Sequence, residues 1–320
     1  MKVKFHNIVK ENTSISKVLH QNLKKNINHG QFILGPEVKK LEVFFSKLIG
    51  VKYSVAVSNG TSALYLVLKY LNLKKDDEVI TVSNSYISSS SVIALNNLKI
   101  KFVDVAKDLN INVKEIENKI TRKTKVIIAV HLTGNPAKID EIKKIAKKRN
   151  IFVIEDAAQA IGAKLKNKMV GGLADFGCFS FHPLKNVGAL GDGGIITTNN
   201  KKFYNWALMA RNNGHPNRDE CNFWSLNLRM DNLQASFIIS KLKKIKFVNN
   251  KRIKFARLYI KNLKNIVVGV PEISRHSTCV FNLFIIRCKN RDKLKKFLEK
   301  NNIETKIHYP KPVHKMNVWR

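Results

Sequence analysis

Short apolar runs alternate along most of the chain with longer segments whose apolar positions recur every three or four residues. The runs at 55–57, 79–82, 100–103, 125–130, 151–154, 178–181 and 195–198 read as buried strands. Between them, residues 37–49 carry Val38, Leu41, Phe44, Phe45 and Leu48 at helical spacing, opened by Gly35-Pro36. The segment after Thr61 places Leu64, Leu68 and Leu71 on one side, 113–120 and 139–148 repeat the pattern, and a further helix runs through Ile93. Alternating strands and helices predict an α/β fold: three α/β/α layers around a mostly parallel sheet. Residues 1–30 are polar, with a weak amphipathic helix over 15–23. A long helix is predicted over 233–247. From 249 the pattern changes to a basic helix (251–263), a strand (280–287) and a helix (291–301), which reads as a smaller α+β domain. The expected organisation is an arm (1–30), a large domain (31–248) and a small C-terminal domain (249–320).

Composition changes this picture in one respect. The chain has 320 residues, 44% of them apolar, and a formal net charge of +35. Such a charge concentrates anionic ligands, but nucleic-acid binding needs basic clusters with interleaved aromatics or a known module, and neither is present. The lysine runs 143–149 and 241–246 read as solvated helix faces. Cys178, Cys221, Cys279 and Cys288 lack metal-ligand or CxxC spacing, so no metal is expected. No apolar run reaches the length of a membrane span, and the first residues carry no apolar targeting core. A cytoplasmic protein is expected, with no specific nucleic-acid partner.

Three segments carry candidate chemistry. Phe179-Ser-Phe-His-Pro-Leu-Lys185 ends a strand in a Pro-kinked turn that presents Lys185 between two apolar strands. Burial lowers an ammonium pKa and favours the free amine that forms Schiff bases; the plain alternative is a solvated loop lysine. Val153-Ile-Glu-Asp156 is a strand ending in carboxylates, and ligands of open α/β sheets sit outside such strand ends. Asp156 would otherwise be a helix N-cap. In Val55-Ala-Val-Ser-Asn-Gly-Thr61 a strand runs into a helix start, where Gly60 and Thr61 N–H groups could take a phosphate, though such turns are common. Pyridoxal phosphate chemistry needs this set: a phosphate cradle, a carboxylate for the pyridine nitrogen and a lysine for the imine.

The words Asn59-Gly-Thr-Ser-Ala-Leu64, His131-Leu-Thr-Gly-Asn-Pro136, Glu155-Asp-Ala-Ala-Gln159, Ser180-Phe-His-Pro-Leu-Lys185, Gly191-Asp-Gly-Gly194, Asn227-Leu-Arg-Met-Asp231 and Ile307-His-Tyr-Pro310 occur in that order. In this the chain resembles the DegT/DnrJ/StrS family of pyridoxal-phosphate-dependent sugar aminotransferases, of the aspartate-aminotransferase-like fold (fold type I), from about residue 33 to 312. The resemblance implies amino transfer from an amino acid, glutamate, to a nucleotide-linked keto-sugar in amino-sugar or cell-surface polysaccharide biosynthesis.

It also implies roles. Lys185 holds the cofactor and moves the proton, Asp156 anchors the pyridine nitrogen, Tyr86 stacks on the ring and Gln159 lies against it. Ser180, Gly60 and Thr61 hold the phosphate, joined by Asn227 from the other subunit of a homodimer with shared sites. Arg229 and His308 face the sugar nucleotide, and His182 is either a substrate neighbour or a packed side chain. Leu226 stands where relatives often carry an aromatic residue. Relatives continue well past His-Tyr-Pro, so the small domain is expected to be incomplete. Dehydratases of the family carry histidine at the lysine position, which sets them apart from Lys185 here. A non-catalytic regulatory or nucleic-acid-binding role is the other alternative, and the intact Asp156, Ser180 and Lys185 set argues against it.

Overall fold

The computed structural model describes residues 2–319. Helices α1 (Ile8–Thr13) and α2 (Ser16–His29) form the arm. The large domain comes next, in the order α3 (Pro36–Ile49), β1 (Tyr53–Val57), α4 (Gly60–Tyr70), β2 (Glu78–Val82), α5 (Ser88–Leu95), β3 (Lys99–Val103), α6 (Val113–Lys119), β4 (Thr124–Val130), α7 (Ile139–Lys147) and β5 (Phe152–Asp156). The short hairpin β6 (Lys164–Leu165) and β7 (Lys168–Met169) precedes β8 (Phe176–Ser180), β9 (Gly194–Thr198), α8 (Lys201–Ala210) and α9 (Asn232–Leu242). Then come α10 (Ile245–Leu263), β10 (Ser277–Thr278) and α11 (Arg291–Lys300).

Seven strands form the main sheet in the order β1-β9-β8-β5-β4-β2-β3. β8, β5, β4, β2 and β3 pair in parallel, while β9 is antiparallel to both β8 and β1. β1 therefore points the same way as β8, and the carboxyl ends of β1, β2, β5 and β8 open on one edge, beside the start of β9. β8 and β9 are buried at every position, as expected of strands covered by helices on both faces. Val38, Leu41 and Phe45 of α3 pack on one face with Phe179, Phe181 and Ile238. Leu64 and Leu68 of α4 pack on the other with Phe203, Phe176 and Ile196.

The structure departs from the sequence pattern in three places. The strand expected over 280–287 does not form. Val280 is drawn into the large-domain core, its N–H donating to the Gly134 carbonyl (3.0 Å), and Phe281 adopts a left-handed φ of 46°. That kink leaves Arg287 alone to pair with Gly269. The long helix expected over 233–247 breaks at Lys243-Lys244, where α9 ends and α10 begins. Four of the six residues 241–246 are lysines, and like charges on one turn disfavour it. One of those lysines is also not solvated: Lys241 is 8% exposed and pairs with Glu11 of α1 at 3.6 Å. Among the described residues no helix is long and apolar enough to cross a membrane, and Cys178 and Cys279 are buried free thiols.

Candidate active site

β5 delivers two carboxylates to the open edge of the sheet, and strand alternation sends them to opposite faces. Glu155 is fully buried. It accepts the N–H groups of Gly171 (2.7 Å), Leu173 (2.7 Å) and Ala174 (2.8 Å), and lies 3.0 Å from His131 Nε2. His131 Nδ1 accepts the Ala137 N–H (2.9 Å), which leaves Nε2–H to donate to Glu155. Asp156 faces the other way. Its Oδ2 accepts from Ser89 Oγ (2.7 Å) and its Oδ1 from the Ala158 N–H (3.2 Å).

Lys185 comes after β8 in a tight loop closed by Ala189 N–H donating to the Phe181 carbonyl and Lys185 N–H donating to the His182 carbonyl. The next residue, Asn186, is buried and donates to Asn249 Oδ1 (2.9 Å) and the Val280 carbonyl (3.1 Å), which fixes the loop against α10 and the chain beyond. Burial pushes the Lys185 ammonium below the usual lysine range, and the negative charge of Asp156 opposes it. The lysine and carboxylate expected to work together are thus close enough to feel each other's charge.

The phosphate cradle is assembled by close backbone approach. Asn59 caps α4, its side chain accepting the Ser62 N–H at 2.8 Å. The N–H groups of Gly60 and Thr61 precede the first acceptor inside the helix. A Cβ on Gly60 would stand 2.9 Å from the Ser180 Cβ, so only glycine lets the helix start and the end of β8 meet. A Cβ on Gly194 would lie 2.2 Å from the Asn59 carbonyl oxygen. Thr61 Oγ1 shares a hydrogen bond with Ser88 Oγ (2.7 Å), and the adjacent Ser89 holds Asp156. The first turn of α5 therefore ties the cradle to the carboxylate. Sequence reasoning missed Ser89, because one serine in a run of four carries no signal until β2 and α5 place it.

Gln159 is buried, with Oε1 accepting the Thr133 N–H (2.7 Å) and Nε2 donating to the Tyr309 hydroxyl (3.4 Å). Tyr86 is 60% exposed, its ring tilted at 46° to that of Tyr309 with centroids 6.4 Å apart. Tyr309 was also missed by sequence reasoning. Burial pushes its phenol up to about 12, partly offset by the Gln159 bond and helped by Asp156 and Tyr86. Its neighbour His308 is half-buried. Burial, and then the charges of Lys185 and Lys306, push its imidazole below the usual range.

Three predicted residues lie at the margin of this group. Asn227 is exposed on a loop segment bridged to Asn212, and its Oδ1 accepts from Arg229 Nε at 2.9 Å. It does not cap a helix: α9 starts at Asn232, with Asp231 in the cap position. Arg229 also donates to Asn212 (3.1 Å), so its guanidinium is engaged on this loop. His182 is exposed, and its Nδ1 accepts the Leu184 N–H at 3.3 Å. Partial burial and the Lys185 charge push its imidazole down.

These residues fit pyridoxal phosphate. The Gly60–Ser180 contact makes a cradle that a side chain would fill, Asp156 keeps a carboxylate hydrogen-bonded on one side, and Lys185 is an amine whose charge is disfavoured.

Known proteins are similar to this chain in sequence and in fold. A model of the DegT/DnrJ/EryC1/StrS aminotransferase family matches residues 13–320. The chain is 38% identical over 309 residues to dTDP-3-amino-3,6-dideoxy-alpha-D-galactopyranose transaminase of Aneurinibacillus thermoaerophilus, covering 96% of this chain and 85% of that protein. Its fold is similar to the crystal structure of S. venezuelae DesV in complex with a ketimine intermediate, with a TM-score of 0.97, 29% identity, and coverage of 99% of this chain and 86% of that one. It is also similar to NtdA of Bacillus subtilis with bound cofactor PMP, with a TM-score of 0.91, 29% identity, and coverage of 99% and 74%.

Proposed function

The chain belongs to the DegT/DnrJ/EryC1/StrS aminotransferase family, and on that premise we propose how its own residues move an amino group from an amino acid, glutamate, to a nucleotide-linked keto-sugar. The observation that carries the proposal is the convergence on one sheet edge of the Gly60–Ser180 cradle, the Ser89-held Asp156 and the charge-disfavoured Lys185. Bound there, pyridoxal phosphate supplies a carbonyl carbon for imine formation and a protonated ring that accepts an electron pair.

Gly60 and Thr61 N–H groups and the Ser180 hydroxyl hold the phosphate, and the positive end of α4 favours its charge. Asp156 keeps a proton on the pyridine nitrogen, because Ser89 and Ala158 fix its carboxylate and no water need reorganise as charge develops. With the cofactor bound, Lys185 Nζ would act as the base that removes the proton from the amino donor's α-carbon and would carry it onward. Burial raises the fraction of free amine at neutral pH, which is what a general base needs. Tyr86 and Gln159 border the ring, and His308 faces the sugar nucleotide; Arg229 and His182 serve it from the rim.

The site is shared between two copies of the chain. Asn227 is exposed, caps nothing, and sits on the segment whose Leu228 carbonyl accepts the Ser58 N–H, next to the cradle. A phosphate dianion accepts more charge-assisted hydrogen bonds than one cradle supplies, and Asn227 of a second copy provides one. The protein acts in the cytoplasm as a two-fold homodimer.

The reaction is tested by incubating holoenzyme with glutamate and a panel of keto-sugar nucleotides, and monitoring 2-oxoglutarate and amino-sugar formation. Amino-sugar product supports the proposal; elimination of a sugar hydroxyl without amino transfer would mark a dehydratase. Sharing is tested by mixing inactive Lys185→Ala and Asn227→Asp proteins under subunit exchange. Recovery of about a quarter of wild-type activity is expected, since one site of each mixed dimer collects both defects.

A further inference from the structure

The arm meets the site through Phe5. Val3 N–H donates to the Asn302 carbonyl (2.8 Å) and Glu304 N–H donates to the Val3 carbonyl (2.9 Å), so residues 3 and 303 pair in parallel. Lys2 Nζ lies 2.9 Å from Glu304 Oε1, and Phe5 N–H donates to Glu304 Oε2 (3.2 Å). These contacts set the register of the arm against the stretch that leads into His308. Beyond Phe5 the arm is fastened again. His6 lies 3.3 Å from Glu11, and Glu11 lies 3.6 Å from the buried Lys241 of α9. Between the two anchors the Phe5 ring stacks on the His308 imidazole, with centroids 5.7 Å apart and planes 18° from parallel. His308 also meets Tyr309 in an edge-on arrangement, at 5.3 Å and 64°, and Tyr309 in turn contacts Gln159.

We propose that Phe5 is a positioning residue. It holds the His308 imidazole in the orientation that receives the keto-sugar substrate, so the N-terminal arm sets substrate affinity from outside the pocket. The proposal rests on the proposed function, in which His308 faces the sugar nucleotide. A phenyl ring placed only for stability would be expected in the apolar core; this one lies flat on a polar ring that feels the charge of Lys185. An imidazole in that position has two side-chain torsions to fix. Removing one of the two rings that fix it frees the group without touching Lys185, Asp156 or the cradle. Stacked aromatic pairs are worth about two- to tenfold in an equilibrium.

The test uses holoenzyme carrying Phe5→Ala, Phe5→Leu or Phe5→Tyr. Phe5→Leu keeps apolar volume without a ring and serves if Phe5→Ala does not fold. The His308 ring-proton resonance, assigned by its loss in His308→Gln, is expected to move downfield in Phe5→Leu as the ring current disappears, and to stay in place in Phe5→Tyr. The KM for the sugar nucleotide should rise about three- to tenfold in Phe5→Leu, with kcat, the KM for the amino donor and the visible cofactor spectrum unchanged, and Phe5→Tyr should restore it. The resonance needs no turnover, so it reports the contact even if the chain catalyses a different reaction. An unmoved resonance would overturn the proposal, as would a moved resonance with unchanged sugar-nucleotide affinity, or a loss of thermal stability alone.

Discussion

Glu155 accepts three backbone N–H groups and the His131 ring, whereas Asp156, the next residue and on the other face of β5, accepts one hydroxyl and one N–H. Both are buried carboxylates at the end of the same strand. The difference is saturation. A carboxylate has room for about four hydrogen bonds, and Glu155 uses that room inside the protein, knitting the 171–174 turn and the His131 loop to the sheet. Asp156 keeps capacity to spare and lies within reach of the charge on Lys185. Burial and charge together therefore do not mark a reactive group; unused bonding capacity beside a disfavoured amine does.

The largest effect should come from the amine. Lys185→Ala is expected to lower kcat by about 10⁴-fold or more, since it removes both the imine partner and the proton carrier. Thermal stability should barely change, a split that parallel kinetics and melting curves will show. Glu155→Ala should do the reverse. It strands three N–H groups and a ring N–H, at about 4 kcal/mol of stability, read as a fall of about 10 °C in melting temperature. The activity of molecules that remain folded should fall far less. Asp156→Asn sits between them, with a kcat loss of about 3 kcal/mol because an amide cannot match the charge, and an almost unchanged melting curve. If Glu155→Ala and Asp156→Asn gave the same pattern, the distinction between the two faces of β5 would fail.

A third carboxylate sharpens the comparison. Burial works to raise the Glu37 pKa, but hydrogen bonds from Lys25 (2.7 Å) and Asn232 (2.6 Å) outweigh it and hold the group at about 2, against an ordinary 4.5. Because the folded pKa is depressed, the stabilisation is complete above about pH 4.5 and is lost as pH falls toward 2. Allowing for the exposed Lys25 partner, the loss is about 2 kcal/mol. Acid titration of wild type against Glu37→Gln should show the difference shrinking over that range.

Much of this was legible in the sequence, and the parts that were not have physical causes. The strands β1, β2, β5 and β8 announce themselves as short apolar runs, and the residues at or just past their ends (Asn59-Gly60, Tyr86, Asp156, Lys185) must then lie on one edge. Which of Glu155 and Asp156 faces the site could not be read from periodicity in a strand buried on both faces. Ser89 was hidden in a serine run, and Tyr309, although inside the Ile307-His-Tyr-Pro310 word, was given no role, because neither can be assigned one before tertiary structure brings it to Asp156 or Gln159. The strand expected at 280–287 failed because Val280 was claimed by the large-domain core. Lys241 looked solvated because its partner, Glu11, lies in the arm, far away in sequence.

The central claim is that Lys185, among all the lysines of a strongly basic chain, carries the cofactor. Reducing the holoenzyme with borohydride and mapping the pyridoxyl group by mass spectrometry tests it without any substrate. The adduct is predicted on Lys185 and absent from Lys185→Ala. An adduct on a different lysine, or none on a protein shown to hold the cofactor in its aldehyde form, would contradict the account.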